Sequence, residues 1–200
     1  KYSQLVTIEK NITQILQDEN NRFWVSAETG LSLYRYDDQN HVTRIFKVFN
    51  APRHAWSMYK SRDGIIWMED AGKLFSFNQT SKKSVWIELG NSHGIKKYFE
   101  DKLGLLWIGS GGGGLFCYDR LNKKITHYKS EFSKNSLSSN TVFSIYEDKK
   151  GNLWIGTSNG LDMFDRLAFS FNNYNENSGL INNMVYTIFE DDFGNLWLST

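Results

Sequence analysis

A tryptophan recurs along the chain at nearly constant intervals, and this repetition limits the fold more than any other feature. The spacings are 43, 40, 47 and 43 residues. A period of this length without helical periodicity is typical of β-propeller blades. The repeated residues are Trp24, Trp67, Trp107, Trp154 and Trp197, and each follows by three positions a turn residue: Asn21, Gly64, Gly104, Gly151 or Gly194.

The best-preserved unit predicts four short strands. Alternation of side chains predicts a strand over 142–147, and residues 148–152 form a turn in which Asp and Gly are favourable. A second strand follows over 153–157. Asn159-Gly160 is a strong hairpin signal before a third strand over 161–165, and 168–174 supplies the fourth. Four antiparallel strands per period indicate an all-β protein built of β-propeller blades.

All of the repeats belong to one propeller domain, which contains about four and a half to five of them. We expect it to be part of a larger propeller with seven blades, or of a double propeller. A five-bladed ring closed by strand exchange is the alternative, and it would lack one third strand. The predicted segments are 1–9 (last strand of a preceding blade), 10–50, 51–90, 91–133, 134–177 and 178–200 (first half of a blade).

Composition excludes several classes of function. Lys and Arg number 23 against 22 Asp and Glu, so the chain lacks the basic charge that nucleic acids or acidic membranes attract. No apolar run is long enough to span a bilayer. One cysteine, Cys117, cannot form an internal disulfide, and we predict an inert core residue there. We predict no cofactor and no metal, because His41, His54, His93 and His127 show no ligand spacing.

The repeated residues themselves are interpreted as structural. We expect the repeat tryptophans to fill the gaps between adjacent sheets. The turn aspartates Asp101, Asp148 and Asp191 form acidic pairs with the glutamates before them, which resembles a calcium or acid–base site. Because they recur at one register in successive blades, a role in the turn is the better interpretation.

Three segments resemble a known repeat. Residues 100–110, 147–161 and 190–200 are similar to the repeat of the two-component regulator propellers, with the pattern Glu-Asp-x-x-Gly-x-Leu-Trp. Residues 17–24 lack the glycine, and 60–67 lack the acidic pair. The resemblance implies a periplasmic sensor domain of a hybrid two-component protein that detects carbohydrate breakdown products. It also implies a membrane-anchored parent with a histidine kinase, further blades and a homodimeric partner, none of which this chain supplies.

Candidate ligand contacts lie in two sets of loops. In propellers, the connections between blades and those between second and third strands share one face, around the mouth of the channel. Polar side chains there suit hydrogen bonds to sugar hydroxyls. The predicted ligand residues are Arg53, His54, Trp56, His93, Glu28, Glu69, Asp70, Asn140, Asn159 and Asn183.

Two tryptophans outside the repeat have two alternative interpretations each. Trp56, near the only proline, can stack on a sugar beside Arg53 and His54, or it can belong to the strand core in register with Phe143 and Tyr186. Trp86 on a fourth strand is either a surface aromatic or an interface residue.

We expect this chain itself not to be an enzyme. A propeller glycosidase or lyase is one alternative, and a glycosidase would need two carboxylates about 5–10 Å apart. Glu28 and Glu69 or Asp70 are the only candidates for them. A protein-interaction scaffold is the other alternative, and it would need a contiguous apolar surface patch.

Overall fold

The computed structural model describes residues 9–18, 20–37, 41–49, 51, 52, 55, 57–132 and 135–200. These residues form eighteen β-strands and one single-turn 3-10 helix at Glu176–Ser178. The chain divides into two compact units, which are residues 1–90 and residues 91–200. None of the described residues belong to a helix long and apolar enough to cross a membrane.

The first unit contains two four-stranded antiparallel sheets. Each sheet takes its strands in chain order, so that consecutive strands are neighbours. Blade 1 consists of β1 (Gln14–Gln17), β2 (Arg22–Ala27), β3 (Gly30–Tyr36) and β4 (Val42–Val48). Blade 2 consists of β5 (Met58–Lys60), β6 (Ile65–Asp70), β7 (Lys73–Asn78) and β8 (Ser84–Glu88).

The second unit contains two further four-stranded sheets and a two-stranded one. Blade 3 consists of β9 (Ile95–Glu100), β10 (Leu106–Ser110), β11 (Leu115–Asp119) and β12 (Lys124–Tyr128). Blade 4 consists of β13 (Val142–Glu147), β14 (Leu153–Thr157), β15 (Gly160–Asp165) and β16 (Ser170–Tyr174). Blade 5 consists of β17 (Thr187–Glu190) and β18 (Leu196–Ser199). The prediction of an all-β fold with four-stranded blades is confirmed.

The turn before each repeat tryptophan is organised by an aspartate in blades 3, 4 and 5. In each of these turns the indole Nε1–H donates to the Oδ2 of that aspartate, while its Oδ1 accepts a backbone N–H four residues on. The indole bonds are 2.8, 2.9 and 2.9 Å long for Asp101–Trp107, Asp148–Trp154 and Asp191–Trp197. These carboxylates therefore fix the turn and the ring together.

The repeat tryptophans differ in burial. Trp24, Trp67 and Trp107 are buried, and Trp154 is half-buried. Trp197 departs from the expectation, because 64% of its surface is exposed. Its strand β18 pairs only with β17 among the described strands, so no third strand covers the ring.

Lysines after the turn aspartates connect consecutive blades in the second unit. The Lys102 N–H donates to Glu147 Oε2 at 2.8 Å, and its Nζ donates to the Asp148 carbonyl at 2.9 Å. Lys149 repeats this contact one blade later. Its N–H donates to Glu190 Oε2 at 2.9 Å, and its Nζ donates to the Asp191 carbonyl at 2.8 Å. We call each such contact a lysine latch.

A buried ion network joins blades 3 and 4. Arg166 follows β15 and donates to Asp101 Oδ2 of blade 3 at 2.9 Å and to Glu147 Oε1 of its own blade at 3.1 Å. Asp101 is fully buried and also accepts the Trp107 indole N–H. The guanidinium thus compensates two carboxylates between the sheets.

Candidate functional site

The predicted ligand residues of the first unit lie at turns or outside the described residues. Arg53, His54 and Trp56 are outside the described residues, so their placement stays a prediction. Glu28 is exposed between β2 and β3, and its Oε2 accepts a 2.7 Å hydrogen bond from Asn11 Nδ2.

The two acidic residues of blade 2 that were predicted as ligand contacts stand at the end of β6, before the turn to β7. Glu69 is half-buried, and its Oε1 accepts the Gly72 N–H at 2.7 Å, so this carboxylate takes part in its own turn. Asp70 is exposed. The structure therefore gives Glu69 a local structural contact and leaves Asp70 at the surface of the predicted face.

The predicted asparagines of the second unit form hydrogen bonds within and between its loops. Asn140 Oδ1 accepts the Ser130 N–H at 2.8 Å, and the Asn140 carbonyl accepts the Gly114 N–H at 2.8 Å. Asn159 is exposed in the turn between β14 and β15, where its Nδ2 donates to the Ser138 carbonyl at 3.3 Å. Asn183 Oδ1 accepts the N–H of Glu176 at 2.8 Å.

His93 stands on the loop that precedes β9. It is exposed and has a left-handed backbone with φ +51°. A hypothetical side chain at Gly112 would meet the His93 ring carbons at 3.7 Å or more, so the ring lies beside the glycine run between β10 and β11. Within this run, the Gly111 N–H donates to the Gly94 carbonyl at 2.8 Å.

Hydroxyl groups of the loop before β13 and of the end of β14 cluster beside Asn159, the one member of this group that the prediction included. Ser138 Oγ is 2.7 Å from Thr157 Oγ1, and Ser139 Oγ is 2.7 Å from Ser158 Oγ. The sequence signal that could have predicted this cluster is the largely polar run over 136–141, which directly precedes a strand. We call Ser138, Ser139, Thr157, Ser158 and Asn159 the blade 4 hydroxyl cluster.

A buried carboxyl group supports this cluster. Asp162 on β15 is fully buried, and its Oδ2 accepts the N–H and the hydroxyl of Ser138, each at 2.9 Å. Asn173 Nδ2 donates to Oδ1 at 2.7 Å. Burial raises the pKa of Asp162 to about 6, although hydrogen bonds from Ser138 and Asn173 lower it in part. The group is shielded from a ligand and acts on the loop through Ser138.

The chemistry of this face is that of neutral donors and acceptors. Hydroxyls, amides and backbone groups predominate in the second unit, and they are suited to hydrogen bonds with hydroxylated ligands. Among the described residues, no three His, Cys, Asp or Glu side chains are arranged to hold a metal ion. Cys117 is buried, and burial raises the pKa of its thiol to about 12, so it is not a nucleophile.

The remaining candidate, Trp86, lies on β8 and is 41% exposed. Its ring contacts Phe75 edge to face, with 5.0 Å between centroids. The side chain thus packs on its own sheet and is partly exposed to solvent.

Comparison with known protein families found a match for part of the second unit. Residues 136–159 and 179–200 match the profile of the family described as "Two component regulator propeller". The search of curated proteins found no match.

Solved structures show the same fold. Two are extracellular domains from B. thetaiotaomicron, one described as part of a hybrid two component system and one as part of a one component system. The first has a TM-score of 0.66 and 24% identity over 94% of this chain and 25% of its own. The second has a TM-score of 0.55 and 18% identity over 94% of this chain and 34% of its own.

Virginiamycin B lyase from Staphylococcus aureus is also similar, with a TM-score of 0.65 and 12% identity over 94% of this chain and 62% of its own. At these identities each likeness establishes the fold alone. The chain spans about a quarter and a third of the two extracellular domains.

Proposed function

We propose that this chain, which carries repeats of the two component regulator propeller family, is the non-catalytic sensor part of a hybrid two-component protein. The match of residues 136–159 and 179–200 to that family is the observation that carries the proposal. The likeness to the extracellular domain of a hybrid two component system from B. thetaiotaomicron supports it. The chain would lie outside the cytoplasm, in the periplasm, and would relay to a histidine kinase beyond these residues, in a parent that forms homodimers.

The ligand proposed for this sensor is an oligosaccharide released from a polysaccharide. The blade 4 hydroxyl cluster supports this choice, because neutral hydroxyl and amide groups are suited to recognising sugar hydroxyls. Asn159 is the exposed member of the cluster, and we expect it to contact the sugar together with the half-buried Ser139. Arg53, His54 and Trp56, with Glu28, Asp70 and His93, remain further proposed contacts.

The test is thermal unfolding of the 200-residue chain with a panel of neutral and acidic oligosaccharides. A ligand that binds only the native state raises the melting temperature. We expect one class of saccharide to do so, and we expect Asn159→Ala to reduce the shift. Asn172→Ala on the outer strand β16 is the matched control, since Asn172 is exposed and lies outside the hydroxyl cluster.

Two outcomes would contradict the proposal. A cooperative melt that no saccharide shifts would place the ligand site elsewhere or remove the sensor role from these blades. Release of reducing ends or of unsaturated products from a polysaccharide would show an enzyme instead. A shift that Asn159→Ala and Asn172→Ala leave equally unchanged would keep the sensor role but move the site away from blade 4.

A further inference from the structure

Two aromatic side chains from consecutive blades of the second unit lie side by side. Phe143 belongs to β13, and Tyr186 directly precedes β17. Their ring centroids are 5.0 Å apart, with an angle of 36° between the ring planes. Phe143 is half-buried, and Tyr186 is 48% exposed. The two rings therefore form an aromatic surface that is open to solvent, and we call it the aromatic pair.

A β-bulge orients the first ring. Phe143 is an extra residue on β13 that has no partner on β14, because the pairs on either side of it are consecutive on β14. These pairs are Val142 with Thr157 and Ser144 with Gly156. A bulge of this kind changes the direction of a side chain relative to the pleat of the sheet. The direction of the Phe143 ring is therefore set by the backbone.

The bulge belongs to the repeat, but the aromatic ring does not. In blade 3, Lys96 is the extra residue between the pairs that β9 forms with β10. Lys96, Phe143 and Tyr186 each stand five residues before the turn aspartate of their blade. Blades 4 and 5 thus place an aromatic ring where blade 3 has an ammonium group. The fold itself does not require the aromatic pair, so the pair is a candidate for ligand contact.

Three hydrogen bonds hold the second ring in place. The Val185 N–H donates to the Thr157 carbonyl at 2.9 Å, which binds the segment before β17 to blade 4. The Tyr186 N–H donates to the Ser199 carbonyl at 2.8 Å. Its hydroxyl donates to Met184 Sδ at 3.1 Å. The ring is pre-organised by these contacts, and pre-organisation reduces the entropy that binding costs.

The aromatic pair adjoins the blade 4 hydroxyl cluster on two sides. Thr157 accepts the Val185 N–H through its carbonyl, and its hydroxyl oxygen lies 2.7 Å from Ser138 Oγ. On the other side, the Thr141 N–H donates to Ser139 Oγ at 3.1 Å, and Thr141 stands two residues before the bulge. A single ligand can therefore contact the aromatic rings and the hydroxyl groups together.

The segments that form this surface carry no charged residues. Residues 136–146, 153–161 and 179–189 contain no Asp, Glu, Lys, Arg or His. The corresponding strand of blade 3 contains Lys96 and Lys97. Removing a charged group from water is costly where no opposite charge compensates it. These segments therefore favour a neutral ligand over an ionised one.

We propose that the aromatic pair and the hydroxyl cluster together bind one pyranose ring of a neutral saccharide. The C–H groups on one face of the ring pack on Tyr186 and Phe143. Its hydroxyl groups form hydrogen bonds with Asn159 and Ser139. This assignment rests on the proposed sensor function, and it narrows the ligand to saccharides without an acidic group at this ring.

Saturation-transfer difference NMR on the 200-residue chain tests the arrangement. The neutral probes are the methyl glycosides of glucose, galactose, mannose and xylose. Three further probes each lack one property of these glycosides. Methyl glucuronide is charged, sorbitol has no ring, and cyclohexanol has a ring with a single hydroxyl group. With irradiation of the protein's aromatic protons, we expect saturation of the ring C–H protons of at least one neutral glycoside and little saturation of the other three probes.

Matched variants show whether the aromatic pair makes the contact. Tyr186→Leu and Phe143→Leu should each weaken binding of the neutral glycoside about fivefold, because each removes one flat ring. Tyr186→Phe keeps the ring and should leave the affinity unchanged. Phe193→Leu is the control, since Phe193 is exposed in the turn at the other end of β17. Well-dispersed backbone spectra show for each variant that the fold is retained.

The outcomes separate this assignment from the sensor function on which it rests. Binding of a neutral glycoside that Asn159→Ala weakens, but that Tyr186→Leu and Phe193→Leu leave unchanged, overturns the stacking and keeps the sensor function. Equal or tighter binding of methyl glucuronide overturns the restriction to neutral saccharides. Equal saturation of sorbitol or cyclohexanol overturns the recognition of a pyranose ring. If no glycoside is saturated, this site and the proposed saccharide ligand are both contradicted.

Discussion

Arg166 Nη1 lies 2.9 Å from Asp101 Oδ2, and these two residues belong to different blades. The same guanidinium is 3.1 Å from Glu147. The side chain of Asp101 is fully buried and that of Glu147 is 5% exposed, so the arginine compensates two carboxylates that have little access to water. Packing between blades 3 and 4 therefore depends on a charge contact as well as on apolar contacts.

Arg166→Met should destabilise the second unit by about 3 kcal/mol, because removal of one partner leaves buried charges uncompensated. Urea unfolding followed by circular dichroism would measure the loss. Arg35→Met changes an exposed arginine on β3 and is the control, with an expected effect below about 0.5 kcal/mol. Equal effects of the two substitutions would show that the network contributes nothing particular.

Two tryptophans at equivalent repeat positions should respond very differently to truncation. Trp107 is 1% exposed and packs edge to face on Phe164, whereas Trp197 is 64% exposed. Trp107→Ala should cost about 3–5 kcal/mol, as for other buried aromatic residues. Trp197→Ala should cost about 1 kcal/mol or less. Thermal or urea unfolding of both variants measures the difference, and a similar cost for both would contradict the burial described above.

Stability should carry an unusual pH dependence from Asp162. Its pKa is raised to about 6, against 3.8 for an ordinary aspartate, so the folded state retains the proton more strongly than the unfolded state. The contribution of this group is therefore most favourable below pH 4 and is lost as the pH rises to about 6 and above. A shift of about two units corresponds to about 3 kcal/mol.

Asp162→Asn removes this titration. Unfolding free energies at pH 4 to 7 should show the wild type losing stability relative to the variant as the pH rises. Asp192→Asn, at an exposed turn position, is the control for replacing an aspartate with an asparagine. A constant difference between wild type and Asp162→Asn over the whole range would refute the assignment.

Gly156 on β14 should not tolerate a side chain. A Cβ there would lie 2.5 Å from the carbonyl oxygen of Val185 and 2.9 Å from Val185 Cγ1. The first atom belongs to the backbone, and the second belongs to a side chain packed in the core. Gly156→Ala should destabilise by about 1–3 kcal/mol, as overpacking does. At Gly112 the nearest atom would be at 3.5 Å, so Gly112→Ala should be near neutral and serves as the control. Melting temperatures of the two variants provide the comparison.

The strand pattern could be predicted from the sequence because it follows from short-range signals. Alternating side chains, Asn159-Gly160 and the recurring turn before each tryptophan define the hairpins locally. The repeat spacing then fixes the blade architecture without knowledge of long-range contacts. The exposure of Trp197 did not follow, since it depends on which strands lie beside β18.

The sites were harder to predict, because they depend on what fills the space between sheets. The absence of the acidic pair in residues 60–67 is visible in the sequence, but it indicates only a weaker repeat. Likewise, the spacing of the turn acids predicted their role in the turn but did not reveal that Glu147 and Glu190 accept hydrogen bonds from the preceding blade.

The lysine latch has a consequence for how such chains can lengthen. Blades 3 and 4 each donate hydrogen bonds through a lysine to the blade that follows. Blades 4 and 5 each accept them through a glutamate from the blade that precedes. A tandem duplication of the segment that encodes blade 4 would therefore create a new junction with both halves of the contact already in place. Blade number can change by recombination between such repeats without the coordinated appearance of new residues on two surfaces.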